Sequence, residues 1–289
     1  MKYSMKLIAW ILVLIAFCGC TATEPPAQVV ATTLPVYTLT MRLCEGTGIA
    51  VTQLITENVS CLHDYTLQVS QMRCVEGADI VILSGAGLED FMDDTLTGAK
   101  SIVDASEGIS LHHAEEHRDH NHAHEADPHI WLSPKYAAEM AKNICNGLMN
   151  QFPHHTETFQ TNLTSLLQDL QDLQDYGQQQ LSTLSCRELI TFHDGFCYLA
   201  DSFDLTVIKA VEEESGAEAS AAELIELIQL VDTRHLPAIF TEANGSTAAA
   251  TIVSAETGVP MFTLDMAISG SDYFTAMYQN IDTLREALQ

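Results

Sequence analysis

Ala78-Asp79-Ile80-Val81-Ile82-Leu83, closed off by Gly85 and Gly87, is apolar enough to be a strand buried on both faces. Strands of that kind sit centrally in parallel sheets, where crossover helices cover both surfaces. Working outward, the preceding stretch predicts a helix whose Leu67, Val69 and Met72 pack inward, and before it a strand at 49–55. Earlier still, 35–45 reads as a helix ended by Gly46, after a short apolar strand at 29–33. On the other side a helix covers 88–96 and a strand comes next at 101–104. Strand and helix alternate throughout, which is the rhythm of an α/β fold.

The rhythm breaks at 106–128, a connection longer than compact domains usually carry. A helix from Ser133 to about Asn150 comes after it, broken by Phe152-Pro153. Next is a long helical pattern with Phe159, Leu163, Leu166, Leu167, Leu170, Leu173, Leu181 and Leu184 on one stripe and Gln and Asp elsewhere. Roughly 28 residues at about 1.5 Å each make a rod of roughly 40 Å, long enough to run the length of a two-lobed molecule. Gly177 and the irregular stripe after Leu173 argue against a coiled-coil dimer. Beyond Leu184 the alternation resumes with strands at 188–192, 205–211, 238–241 and 261–264. Ser220 and Glu223 form a capping box before a helix whose Leu224, Leu227, Ile228 and Val231 share a face. The expected fold is therefore α/β: two lobes, 29–152 and 185–289, each with a parallel sheet flanked by helices, joined by a linker helix within 153–184.

Twelve basic against 39 acidic residues give a formal charge of −27, which argues against nucleic acid because phosphates would be repelled. Lys2 and Lys6 precede an uninterrupted apolar run at 7–17, too short to span a membrane as a stable helix. Residues 1–19 thus read as a signal peptide. Phe17-Cys18-Gly19-Cys20 resembles a bacterial lipobox with Cys20 as the lipidated residue and Cys18 as the lesser alternative, and 20–28 reads as a tether. The expected location is extracytoplasmic, anchored to the membrane by lipid. Six further cysteines, at 44, 61, 74, 145, 186 and 197, stand where disulfides can form, and spacing alone does not pair them. A strand separates Cys186 from Cys197, which sets those two beyond bridging distance.

Half of the chain's twelve histidines fall between 112 and 124: His112, His113, His117, His120, His122 and His124. Neutral imidazole is the commonest side-chain ligand for zinc, so this stretch reads as a weak metal collector. Seven residues from Asp127 onward differ in kind. Asp127-Pro128-His129-Ile130-Trp131-Leu132-Ser133 turns abruptly apolar, and His129 reads as a fixed ligand in packed surroundings. In the second half a strand runs into His193-Asp194-Gly195-Phe196 and another into Asp265, so candidate ligands end strands where open α/β sheets place their crevices.

With these residues in hand the chain resembles the metal-binding solute-binding lipoproteins of bacterial ABC importers, in particular the zinc-specific branch. The resemblance rests on His63-Asp64-Tyr65, on Asp127 to Pro134, on Phe192-His193-Asp194-Gly195-Phe196, on Gly216-Ala217-Glu218-Ala219-Ser220 and on Leu264-Asp265-Met266. It implies a metal in the cleft between the lobes, held by His63 and His129 from the first and His193 and Asp265 from the second. Three imidazoles and one carboxylate suit Zn2+ better than manganese or calcium. Ala219 and Met266 stand where proline is usual, and the cysteine count is high for the family.

The resulting expectation is a monomeric zinc capture protein, not an enzyme, that hands its ion to an ABC permease. A surface zinc buffer or adhesin, and a manganese carrier, are the alternatives. A closed site using Cys61 and Cys197 beside His63 and His193 would hold zinc too firmly for a carrier. His124 to His129 superficially matches a zinc-protease helix, but its second histidine is one residue late and Pro128 would break the helix. His154, His155 and His235 read as solvated or capping residues.

Overall fold

In the computed structural model of the chain, the structure describes residues 28–59, 62, 65–112, 126–211, 219–270 and 272–289. The signal and lipobox segment, His63, and the histidines at 113, 117, 120, 122 and 124 lie outside the described residues, as do Cys61 and residues 212–218.

The first lobe contains β1 (Val29–Ala31), α1 (Leu34–Leu43), β2 (Val51–Gln53), α2 (Val69–Gly77), β3 (Ile80–Leu83), α3 (Asp93–Leu96) and β4 (Ile102–Asp104). Its strands are parallel in the order β2-β1-β3-β4, with Val30 paired to both Thr52 and Val81. Every residue of β1 and β3 is buried, as a strand covered on both faces requires. After it come α4 (Pro134–Gln151) and the long α5 (Thr156–Leu181). The second lobe repeats the plan with β5 (Glu188–Thr191), α6 (Cys197–Asp201), β6 (Thr206–Ala210), α7 (Ala221–Arg234), β7 (Ile239–Glu242), α8 (Ala248–Thr257), β8 (Met261–Leu264) and α9 (Tyr273–Leu288). Its sheet is again parallel, ordered β6-β5-β7-β8.

Helix α5 is the rod the leucine stripe calls for: 26 residues, about 40 Å, with Phe159, Leu166, Leu170, Leu173 and Leu181 buried. It is bonded to both lobes, since Asn162 Nδ2 donates to the carbonyl of Leu43 at 2.8 Å and Tyr176 donates to Asp282 at 2.8 Å. Gly177 has its reason in packing: a Cβ there would lie 2.1 Å from the ring of Phe203, so only glycine lets that ring in. At α7 the capping box is present, Ser220 Oγ accepting from Glu223 N and Glu223 Oε2 from Ser220 N. His235 ends that helix in the left-handed conformation.

The first lobe corrects one expectation. Val69 is 62% exposed and Met72 36%, while Gln71 is buried between them. Gln71 donates to the carbonyl of Leu54 and to the hydroxyl of Tyr65, and its Oε1 accepts from Gln68 N. A side chain whose polar atoms are all satisfied goes inward at little cost, and here that outweighed the apolar period. The disulfide question has a partial outcome: Cys44, Cys74, Cys145 and Cys186 are free thiols. Burial first, and Cys145 second, push the Cys44 thiol up to about 12.

The lobes share one apolar core. Trp131, Leu132 and Ala137 pack in the same cluster as Met266, Ile268 and Tyr273. Backbone crosses the boundary as well, with Leu34 N donating to the carbonyl of Ile268.

Candidate metal centre

The rings of His129 and His193, one from each lobe, stand edge to face with centroids 5.6 Å apart. His129 does not end a strand, unlike the two candidate ligands of the second lobe. It caps a single 3-10 turn, Ile130–Leu132, whose three residues are fully buried and pin it to the core. The turn starts there because Pro128 precludes a longer helix. His193 does come after a strand, two residues beyond Thr191, and Asp265 directly succeeds Leu264 of β8.

Each imidazole is held by a carboxylate. His129 Nδ1 lies 2.7 Å from Asp127 Oδ1, which also accepts the backbone N–H of His129 at 2.9 Å. His193 Nδ1 lies 3.2 Å from Glu242 Oε2. A ring whose Nδ1 proton is taken up by a carboxylate carries its lone pair on Nε2, with its orientation fixed, as metal-ligating histidines generally require. Gly195 makes the approach of the two segments possible: a Cβ there would meet the Met266 methyl at 2.6 Å and His129 Nδ1 at 2.8 Å.

No motif in the sequence singles out Glu242. Its signal there is only an outline, an acid ending the apolar strand 238–241 just before the Ala243-Asn244-Gly245 turn. It is 4% exposed, and burial, with the charge of Asp265 second, pushes its carboxyl up to about 8. A cation arriving beside Glu242 would favour its ionised form.

Asp265 is shaped by its own neighbours. The side-chain amide of Asn280, 2% exposed, accepts from Asp265 N and donates to Asp265 O, while Asp265 Oδ1 accepts from Ala267 N at 2.7 Å. Asp265 also lines a surface depression with Thr263 and Asn280 in which neither histidine takes part. The structure therefore brings His129 and His193 together, while the charge of Asp265 is felt at Glu242. Among the described residues no group of three or more His, Cys, Asp or Glu side chains is arranged to hold a metal ion. Of the histidine-rich stretch only His112 is described, and its Nε2 pairs with Asp201 Oδ2 at 3.2 Å. His155 packs its ring against Phe159, outside any such cluster.

The fold and the sequence have known relatives. The chain is 28% identical over 278 residues to the zinc-binding lipoprotein AdcA of Streptococcus pneumoniae, covering 90% of this chain and 55% of that protein, so it spans about half the length of that relative. It is 25% identical to a putative metal-binding protein of Treponema pallidum, over 84% of this chain and 81% of the other. Among solved structures, ZnuA superposes with a TM-score of 0.80 at 26% identity, over 90% of this chain and 98% of that one. The metal-dependent lipoprotein YcdH of Bacillus subtilis gives 0.75 at 27% identity, over 90% and 98%. Among the described residues no helix is long and apolar enough to cross a membrane. Residues 29–287 match the family model of the zinc-uptake complex component A, periplasmic, and the chain belongs to that family.

Proposed function

We propose that the chain captures Zn(II) in the cleft between its lobes and delivers it to an ABC permease for import, working outside the cytoplasm on a lipid anchor at Cys20. The ligands in this reading are His63, His129, His193 and Asp265, with the histidines from 112 to 124 collecting zinc weakly nearby. The observation that carries it is the pair His129 and His193, facing each other across the lobe boundary, each with Nδ1 on a carboxylate. That arrangement is what fixes an imidazole for zinc, and zinc favours just such nitrogen and oxygen donors. Family membership and the zinc-binding AdcA relative support the choice of ion. The chain acts as a binding protein in this reading, not as a catalyst.

The test is a chelator-competition titration with elemental analysis. Wild-type protein should hold one zinc tightly, and His193→Ala should lose it. Cobalt substituted at the site should show no strong thiolate charge-transfer band. A His193→Ala protein that binds zinc as wild type does, or a cobalt form with that band, would sink the assignment. Zinc uptake by cells that is unchanged when the protein is deleted would leave the site and remove the delivery role, making the protein a surface buffer.

A further inference from the structure

We propose that Tyr198 is a positioning residue for this site, its phenol fastening the neck of the segment between His112 and Asp127 to the second lobe and thereby setting the ring of His129. The inference rests on the reading of His129 as a metal ligand. Tyr198 is 1% exposed, on α6, five residues after His193. Its hydroxyl accepts the backbone N–H of His112 at 2.8 Å and donates to the carbonyl of Asp127 at 2.9 Å. Those two chain segments are themselves joined, Asp127 N donating to the carbonyl of His112 at 2.9 Å. One hydroxyl thus uses its donor and an acceptor position on the two ends of the same neck.

The grip reaches the ligand through one residue. Asp127, whose carbonyl Tyr198 binds, is the residue whose carboxylate holds both the N–H and the Nδ1 of His129. The Tyr198 ring is locked in turn, packed edge-on against His112 at 4.6 Å and Tyr136 at 5.6 Å, with the His112 ring tethered to Asp201. His112, the first histidine of the rich stretch, therefore serves as an anchor of the neck. Because α6 begins at the His193-Asp194-Gly195-Phe196 turn, the same short element presents His193 and fixes the partner of His129.

Tyr198→Phe keeps the ring packing and removes only the hydroxyl. Ser202→Ala is the control, since it removes the bonds of Ser202 Oγ to Ser133 Oγ at 2.9 Å and to the backbone carbonyl of Tyr198 at 2.7 Å while leaving the Tyr198 hydroxyl and its two bonds to the neck in place. Two readouts serve on the full chain. Long-range proton–nitrogen correlation of the zinc-free protein at pH 8 reports which nitrogen of His129 is protonated, and transfer of zinc to excess chelator reports its release rate. In wild type and Ser202→Ala, His129 should show the single Nδ1–H tautomer. In Tyr198→Phe it should become a mixture, and zinc should leave about tenfold faster, the usual scale for loss of a group that orients a ligand. Asp201→Asn, which loosens the neck through His112 and keeps the phenol, should move both readouts less in the same direction, and it carries the test should Tyr198→Phe not fold. Wild-type tautomer and release rate in Tyr198→Phe, or in Asp201→Asn where it stands alone, overturn the proposal, as does Ser202→Ala matching Tyr198→Phe. The nitrogen measurement needs no metal, so failure of the zinc reading would show separately, in the wild-type titration.

Discussion

The indole N–H of Trp131 donates to the carbonyl oxygen of Met266 at 2.7 Å, so the residue two beyond His129 grips the residue one beyond Asp265. The hydroxyl of Tyr273 returns the contact, donating to the carbonyl of Trp131 at 2.6 Å. All three residues are buried in one core shared by both lobes. The lobes should therefore unfold together, in one transition seen alike by fluorescence and circular dichroism. Trp131→Phe leaves the Met266 carbonyl without that donor and opens space, and should cost at least about 2 kcal/mol. Two separated transitions in the wild-type zinc-free protein would show that the shared core does not couple the lobes.

His129→Ala removes one of two facing imidazoles, and the ligands that remain cannot complete a tetrahedron. Zinc affinity should fall by roughly a hundredfold or more, about 3 kcal/mol. His155→Ala, at a ring packed on Phe159, should leave it unchanged. Competition titration compares the two, and equal effects would remove His129 from the site.

Gly195→Ala tests the close approach at the cleft. The Met266 methyl is the end of a flexible side chain and can move, but the His129 ring is held by Asp127 and cannot yield without losing that bond. Zinc should bind about tenfold more weakly. Unchanged affinity would mean that the ring position does not matter to the ion.

Glu89 gives a pH signature away from the metal. It is 3% exposed and accepts from Thr32 Oγ1 at 2.6 Å, Ser84 N at 2.8 Å and Gly85 N at 3.0 Å. Burial outweighs these donors and pushes its carboxyl from the ordinary 4.5 up to about 7. A folded-state value above the unfolded one means that the native state binds the proton more tightly, so this group's contribution is greatest below about pH 4.5 and declines as pH rises towards 7. Relative to Glu89→Gln, the zinc-free wild type should lose about 3 kcal/mol of stability between pH 4.5 and 8. Urea denaturation across that range checks it, and a difference independent of pH would mean the carboxyl is not shifted.

Zinc affinity should run the other way, falling steeply below about pH 6.5 as protons compete for the imidazoles. Chelator competition from pH 7.5 to 5.5 measures this, and a flat profile would mean that histidines are not the principal ligands.

The sequence by itself determined the α/β class, the two lobes and the rod between them, because apolar runs such as Ile80 to Leu83 and the stripe from Phe159 to Leu181 are local patterns with one stable burial. It also made the rarer side chains stand out, His129 before an apolar turn and His193 after a strand. The tertiary structure decided what lies against them. Glu242 became the partner of His193 and Tyr198 the clasp of the neck only when segments far apart in the chain met at the lobe boundary. Gln71 went inward in place of Met72 because the carbonyl of Leu54 and the hydroxyl of Tyr65 were waiting there. Polar satisfaction of this kind is non-local, since a donor is placed by the acceptor it reaches in the fold, and no periodicity in the chain records it.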